Sequence, residues 1–160
     1  MSQISKVAVL GAGTMGNGIA QVCATAGMSV VMRDLEPGLL ERGLSQIDKS
    51  LAKLAEKGTL SAAERDEARA RIRTTTDLVS AVKDADLVVE AIPERMDLKI
   101  ETFRALGEHA PAHALLGTNT SSLSVTEIAA ASGDAARVVG LHFFNPVPLM
   151  KLLGSCAASP

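Results

Sequence analysis

Aromatic residues are nearly absent from this sequence. Its 160 residues include three Phe and neither Trp nor Tyr. A buried core must therefore be packed from Val, Leu, Ile, Ala and Met, and a hydrophobic content of 47% is sufficient for one domain of ordinary size. The scarcity of rings argues against the stacking platforms that bind single-stranded nucleic acid.

Strong charge and long hydrophobic runs are also missing. The formal net charge is −2 and no block of like charge occurs, which argues against binding to nucleic acid or to a membrane surface. No stretch of about 20 apolar residues is present, so no membrane span is expected. The N-terminus has no basic region followed by an apolar run, which argues against a signal peptide. We therefore predict a soluble, cytoplasmic protein.

Cysteine is scarce as well. Cys23 and Cys156 are the two cysteines, which are too few for a disulfide framework or a metal cluster. Cys23 lies in an apolar stretch of helical spacing and is predicted to be a small core residue. We expect a reduced protein without a bound metal.

Short apolar runs alternate with segments of helical spacing along the chain. Strands are predicted at residues 7–10, 29–32, 72–74, 87–91, 115–117 and 138–141. Helices are predicted at residues 14–26, 36–57 and 94–109, and also after Ser61 and Ser124, each of which has a Glu three positions later. This alternation indicates an α/β fold with a doubly wound parallel sheet covered by helices on both faces.

A glycine-rich segment follows the first predicted strand and opens the first predicted helix. It consists of Gly11, Ala12, Gly13, Thr14, Met15 and Gly16 and fits the pattern G-x-G-x-x-G. In this context the first glycine permits a tight turn, the second lets the backbone approach a pyrophosphate, and the third lets helix and strand pack closely. Free N–H groups at the start of the helix favour phosphates, so the segment is predicted to bind a dinucleotide.

An acidic residue follows the second predicted strand. Asp34 lies 18 residues after Gly16, where a carboxylate can accept hydrogen bonds from ribose hydroxyls and repel a 2′-phosphate. This favours NAD over NADP, although the neighbouring Arg33 weakens the preference because an arginine can pair with a phosphate. The alternative is an ordinary strand-end Asp that caps a turn.

Two further segments resemble a known family. Residues 140–146 read GLHFFNP and residues 119–123 read NTSSL. Together with GAGTMGNGIAQ and LVVEAIPE they resemble the 3-hydroxyacyl-CoA dehydrogenases, from about residue 5 to Lys151. The resemblance implies a Rossmann-type NAD-binding domain over residues 1–151. It also implies the NAD-dependent interconversion of 3-hydroxyacyl-CoA and 3-ketoacyl-CoA, as in 3-hydroxybutyryl-CoA dehydrogenases of fatty acid or butanoate metabolism, and homodimers in full-length members.

The chemistry of such a reaction suggests a role for His142, and the resemblance implies roles for two further residues. Oxidation of a secondary alcohol removes a hydride, which the nicotinamide takes, and a proton, for which His142 is a suitable base. The resemblance implies that Ser121 and Asn145 hold substrate and cofactor by hydrogen bonds. Without the resemblance, His142 would be interpreted as a satisfied histidine at a strand end, Ser121 as a helix cap and Asn145 as a turn residue.

The resemblance also implies contacts with ligands for residues other than His142, Ser121 and Asn145. Glu94 and Lys99 match positions that touch the cofactor, and Ser50 and Lys57 on the long second helix match positions that bind coenzyme A. The alternatives are an acid in the first turn of a helix for Glu94, a solvated side chain for Lys99, and a lysine that interacts with a helix C-terminus for Lys57.

The resemblance stops after Lys151. Residues 152–160 are predicted to be a tail outside the family pattern that is not strand-like, and the helical second domain of the family is expected to be missing. The family has Glu where Gly154 stands here, and that acid orients the catalytic histidine as in a triad. A one-base deletion in a family-like coding sequence reproduces LLGSCAASP, so a frameshift is one hypothesis for the tail.

These departures predict weak NAD binding and little turnover for the chain alone. They also predict an unpaired sheet edge and an exposed apolar surface, with contributions from Leu141, Phe143, Phe144, Val147, Leu149, Met150 and Leu152. Two alternatives to an enzyme domain of this family stay open. One is a catalytically inactive NAD-binding fragment, and the other is an enzyme of the short 3-hydroxy acid type, against which HFFNP and NTSSL argue.

Overall fold

A computed structural model of the chain describes residues 4–150 and 153–158. Lys151 and Leu152, at the predicted domain boundary and in the predicted apolar surface, lie outside the described residues. The strands are β1 (Lys6–Leu10), β2 (Ser29–Arg33), β3 (Ile72–Thr75), β4 (Leu87–Glu90), β5 (Leu115–Thr118), β6 (Val138–Phe143) and β7 (Leu153–Ala157). The helices are α1 (Thr14–Thr25), α2 (Pro37–Glu56), α3 (Ala62–Ala70), α4 (Leu78–Val82), α5 (Met96–His109) and α6 (Val125–Ala131), with a 3-10 turn at Ala135–Arg137.

The strands form one sheet in the order β3-β2-β1-β4-β5-β6-β7, and all pairs are parallel except β6 with β7. The chain builds outward from β1 to β3, returns to the centre at β4 and then builds outward in the other direction. The predicted doubly wound α/β sheet is therefore confirmed. In such sheets ligands bind at the carboxyl ends of the strands, where the strand order reverses, which is between β1 and β4 here.

Local signals set most helix ends. Gly27 and Gly58 follow α1 and α2 with φ of +96° and +73°, a conformation that glycine adopts without steric cost. The Ser61 hydroxyl accepts the Glu64 N–H while the Glu64 carboxylate accepts the Ser61 N–H, so the predicted capping box is confirmed. The short helix α4 was not expected, although Asp77 caps it by accepting the Ser80 N–H at 2.7 Å.

The core is aliphatic and lies on both faces of the sheet. Successive strand residues point to opposite faces, so Val7 and Val9 pack with α1 and α2 while Ala8 and Leu10 pack with α5 and α6. Cys23 is 9% exposed within the first of these layers, as predicted. No helix of the described residues combines the length and hydropathy needed to span a membrane.

The carboxyl end of the chain differs from the sequence prediction. Leu153–Ala157 forms β7, which pairs antiparallel with Phe143–Val139 of β6, so the prediction of a non-strand tail is wrong. The edge of the sheet is β7, whose outer side has no partner among the described residues. The composition LGSCA gives no hydrophobic alternation that would predict a strand, and the unpaired backbone groups of β6 supply the reason that it forms one.

The predicted apolar surface is only partly exposed. Val147 is 5% exposed. It packs so closely on α1 that a Cβ added to Gly18 would lie 2.9 Å from the Cβ of Val147. The prediction that Val147 is exposed is therefore wrong. Leu149 and Met150 are exposed as predicted, while Leu141, Phe143 and Phe144 are half-buried.

Candidate active site

The glycine-rich turn connects β1 to α1 and is shaped by close backbone contacts. Gly11 has φ of +106°, and a Cβ there would lie 2.5 Å from the Ala91 carbonyl oxygen. A Cβ on Gly16 would lie 1.8 Å from the Gly11 oxygen, whereas a Cβ on Gly13 would meet nothing within 4 Å. The first and third glycines are thus required by packing, and the second leaves the turn open on one side.

Asp34 at the end of β2 is joined directly to this turn. Its carboxylate accepts the Ala12 N–H and the Leu35 N–H, each at 2.7 Å. The turn-capping interpretation of Asp34 is therefore observed in the structure, and it places the carboxylate beside the glycine segment. The neighbouring Arg33 side chain donates from Nε to the Thr76 carbonyl oxygen at 3.1 Å.

A cavity of about 750 Å³ lies beside the turn and Asp34. Its walls include Leu35, Leu39, Leu78 and Ile92 together with Gly13 and Asp34, and its volume is within the ordinary range of ligand pockets. These features fit a dinucleotide: apolar side chains can cover a base, a carboxylate can accept ribose hydroxyls, and the open backbone at Gly13 admits a phosphate. The first turn of α1 also contains no acidic residue that would repel it.

Ser121 and His142 form the second part of the site. His142 lies near the end of β6, and its Nε2 is 2.8 Å from Ser121 Oγ in the loop after β5. The ring of Phe144 packs on the imidazole with centroids 4.5 Å apart. The other imidazole nitrogen, Nδ1, is buried and has no hydrogen-bond partner among the residues that the structure describes.

The loop that carries Ser121 is fixed by Glu94. The Glu94 carboxylate accepts the Ser121 N–H at 3.0 Å and the Thr120 hydroxyl. Burial opposes ionisation of Glu94, but these two hydrogen bonds and the Lys99 ammonium outweigh it and lower the pKa of Glu94. A negative charge is therefore held next to Ser121, and Glu94 precedes α5 rather than lying in its first turn.

Lys99 lies in a buried ion pair. Its side chain is 0% exposed and its Nζ lies 2.7 Å from Glu90 Oε1 and 3.4 Å from Glu94 Oε2. It is therefore not a solvated lysine, and its contact with the cofactor stays a prediction. Sequence reasoning missed Glu90 because it treated LVVE as a strand; the signal was a charged residue at the end of a buried apolar run.

Three further predicted site residues, Asn145, Ser50 and Lys57, make no hydrogen bond to Ser121 or His142 in the described part of the chain. Asn145 is exposed and precedes a cis peptide bond to Pro146. Ser50 is half-buried in α2 and Lys57 is exposed at the C-cap of that helix. Burial of Val147 against Gly18 nevertheless brings the segment after β6 onto α1, the helix that the glycine turn begins.

Comparison with known proteins agrees with this geometry. Residues 6–156 match the family described as 3-hydroxyacyl-CoA dehydrogenase, NAD binding domain. A probable 3-hydroxybutyryl-CoA dehydrogenase of Deinococcus radiodurans is 48% identical over 148 residues, which cover 92% of this chain and 52% of that protein. Human mitochondrial hydroxyacyl-coenzyme A dehydrogenase is 43% identical over 94% of this chain and 49% of its own length.

Solved structures show the same relationship. The crystal structure of (S)-3-hydroxybutyryl-CoA dehydrogenase from Ralstonia eutropha aligns with a TM-score of 0.94 and 39% identity, and covers 98% of this chain and 55% of that one. The chain thus spans about half the length of the relatives it matches. The family match extends to residue 156 and includes most of β7.

Proposed function

This chain belongs to the 3-hydroxyacyl-CoA dehydrogenase family and matches the NAD-binding domain of that family, and we propose that it takes part in the NAD-dependent interconversion of 3-hydroxyacyl-CoA and 3-ketoacyl-CoA. The observation that carries the proposal is the contact of 2.8 Å between Ser121 Oγ and His142 Nε2. A base and a hydroxyl meet there at the carboxyl ends of β5 and β6, in the same sheet that has the cavity beside the glycine turn and Asp34.

NAD, when bound, supplies the acceptor for the hydride that leaves the alcohol carbon. The chain itself must remove the hydroxyl proton, and His142 Nε2 is the atom we assign to accept it. Ser121 Oγ is within hydrogen-bonding distance of the same nitrogen, so an alcohol oxygen that approaches both atoms would be held by the Ser121 hydroxyl and deprotonated by the imidazole. In the reverse direction the imidazole returns the proton to the carbonyl oxygen.

We assign cofactor binding to the glycine turn and Asp34. The open backbone at Gly13 would receive the pyrophosphate, and the Asp34 carboxylate would accept the ribose hydroxyls and disfavour a 2′-phosphate. Glu94 and Asn145 remain predicted cofactor contacts. We place Lys99 behind Glu94, because its ammonium has no exposed surface.

The names of the relatives point to an acyl-CoA substrate. We propose that Ser50 and Lys57 on α2 contact the coenzyme A part, with the Lys57 ammonium as partner of a phosphate. A role in fatty acid or butanoate metabolism, a cytoplasmic location and homodimers of the full-length protein are proposals that follow from the same relationship.

One observation favours the alternative of an inactive NAD-binding fragment. His142 Nδ1 is buried without a partner in the described part of the chain, and an imidazole that lacks a second hydrogen bond is less well oriented and its charged form less stabilised. We therefore expect little turnover for this chain by itself.

The test combines binding with turnover. NAD and NADP are titrated into the purified chain by calorimetry, and NADH oxidation with acetoacetyl-CoA is measured for this chain and for one extended by the helical domain of a relative. We expect NAD to bind more tightly than NADP, and turnover of the extended chain to be abolished by His142→Ala. Absence of NAD binding, or turnover that survives His142→Ala, would contradict the proposal.

A further inference from the structure

A buried ion pair lies between α5 and the ends of β4 and β5. Lys99 Nζ is 2.7 Å and 2.9 Å from the two carboxylate oxygens of Glu90, and both side chains are 0% exposed. The remaining capacity of the Glu90 carboxylate is used by the Ile92 N–H at 2.8 Å and the Thr118 hydroxyl at 2.7 Å. The pair is thus fully hydrogen-bonded on its carboxylate side.

Stability alone does not account for this pair. Charged groups lose their hydration on burial, and replacement of a buried ion pair by uncharged residues of similar volume is often neutral or stabilising. Burial accordingly raises the pKa of Glu90, although Lys99, Thr118 and Ile92 oppose the shift. The role of the pair is therefore to be sought in the residues that it holds in place.

Glu90 and Lys99 are connected to each residue of the Asn119–Ser121 loop, to Asn119 directly and to the other two residues through Glu94. The Asn119 N–H donates to the Glu90 carbonyl oxygen at 2.8 Å, and Lys99 Nζ is 3.5 Å from the Asn119 carbonyl oxygen. Lys99 also contacts Glu94 at 3.4 Å, and Glu94 accepts hydrogen bonds from Thr120 and from the Ser121 N–H.

The same loop is also joined to the strand that carries the base. Asn119 Oδ1 accepts the N–H of Phe143 at 3.0 Å, and Phe143 directly follows His142. Both partners of the Ser121–His142 contact are therefore anchored through residues that touch the Glu90–Lys99 pair or Glu94.

We propose that Lys99 is a positioning residue of the dehydrogenase site: together with Glu90 it fixes Glu94 and the Asn119–Ser121 loop, so that Ser121 Oγ stays at His142 Nε2. The inference rests on the proposed function for its catalytic meaning, and it gives Lys99 a role that does not require contact with the cofactor. The supporting observations are the full burial of Lys99 beside Glu90 and its contacts with Glu94, which binds Ser121, and with the Asn119 carbonyl oxygen.

The test follows the imidazole nitrogens of His142 by NMR in the NAD-free chain. In the double variant Glu90→Gln/Lys99→Met no buried charge remains, and the Gln amide can still bond to Thr118 and Ile92, so the fold should survive. A second variant, Glu94→Gln, leaves the buried pair intact and weakens only the link to Ser121. The control is Arg69→Met, which removes the exposed ion pair with Asp48.

We expect the Nε2 resonance of His142 to move toward that of the exposed His109 in both test variants and to stay unchanged in Arg69→Met. A purely structural pair would leave His142 unchanged in any variant that folds, and that result in either test variant overturns the inference. If the double variant does not fold, the single variant Lys99→Met takes its place, since Glu90 can then become uncharged by taking up a proton. NAD titration of the unmodified chain is a separate measurement. A failure to bind NAD would contradict the proposed function, whereas the NMR response of His142 would still test whether Lys99 positions Ser121.

Discussion

His142 and Gly154 lie directly opposite each other across the ladder between β6 and β7. Opposed side chains of an antiparallel pair lie on the same face of the sheet, and a Cβ on Gly154 would lie 3.5 Å from the His142 Cβ, an ordinary contact distance. The buried Nδ1 of His142 has no partner among the described residues. A carboxylate carried by residue 154 therefore has the room and the direction to approach that nitrogen.

Gly154→Glu is expected to supply the missing partner of His142. The new carboxylate should accept the Nδ1 proton, which would become observable by NMR as a slowly exchanging, downfield-shifted resonance. In a chain extended by the helical domain, turnover should rise by up to about 10⁴-fold, the usual cost of losing an orienting acid. Gly154→Leu is the control, since it adds a side chain without an acceptor. Equal behaviour of the two variants would show that residue 154 does not reach His142.

Gly13→Ala and Gly16→Ala should separate cofactor binding from folding. A Cβ on Gly16 would lie 1.8 Å from the Gly11 oxygen, so this variant should lose about 3 kcal/mol or more of unfolding free energy. A Cβ on Gly13 meets nothing within 4 Å, so this variant should melt like the unmodified chain but lose NAD affinity. Thermal melts and NAD titrations measure both effects. Undiminished NAD binding by Gly13→Ala would place the pyrophosphate elsewhere.

Asp34→Asn should weaken NAD binding while the fold persists. The amide oxygen can still accept the Ala12 N–H that Asp34 binds at 2.7 Å, but the charge is lost. Hydrogen bonds to charged groups contribute about 1.5–3 kcal/mol, so NAD affinity should fall about tenfold to a hundredfold. The ratio of NAD to NADP affinity should fall as well. Glu41→Gln, an exposed change on α2, is the control, and a matching loss there would discount the assignment of Asp34.

Asp86 makes stability depend on acid pH. The Ser5 N–H, the Lys6 N–H and the Ser5 hydroxyl all donate to its carboxylate, and they lower the pKa of Asp86 well below its usual range. Because the folded state has the lower pKa, the stabilisation is complete above the unfolded value of about 3.9 and is lost as pH falls through the folded value.

Asp86→Asn should therefore melt at a lower temperature than the unmodified chain at neutral pH, and the gap should narrow steadily below about pH 4. Melting curves across this range provide the measurement. Asp84→Asn, an exposed change two residues away, should leave the melting temperature unaltered. A gap that stays constant with pH would mean that the three hydrogen bonds do not depend on the charge of Asp86.

The two cysteines should differ strongly in reactivity. Burial raises the pKa of the Cys23 thiol to about 11, so at mildly alkaline pH it carries almost no thiolate, whereas Cys156 on β7 is exposed. A thiol reagent should modify one group per native chain and two after denaturation, since the thiolate is the reactive form. Cys156→Ser should abolish the fast reaction. Rapid modification of Cys23 in the native chain would contradict the packing of α1.

Features that depend on local spacing could be predicted from the sequence. The period of the apolar residues predicted six strands and three of the six helices of the described residues, because a strand and an amphipathic helix each need a characteristic period. The capping boxes at Ser61 and Ser124 predicted two more helices. The glycine turn was also accessible, since its glycines meet steric requirements of a strand-turn-helix unit. Helix α4 was missed because five residues are too few to display a helical period.

The sequence by itself thus determined the fold class, the glycine turn and the types of residue available for catalysis. Only the tertiary structure decided that Lys99 is buried between two carboxylates, that Val147 is covered by α1, and that Leu153–Ala157 becomes a strand. Desolvation, close packing and ladder hydrogen bonds depend on partners that are distant along the chain, and no local pattern records which partner a residue will meet.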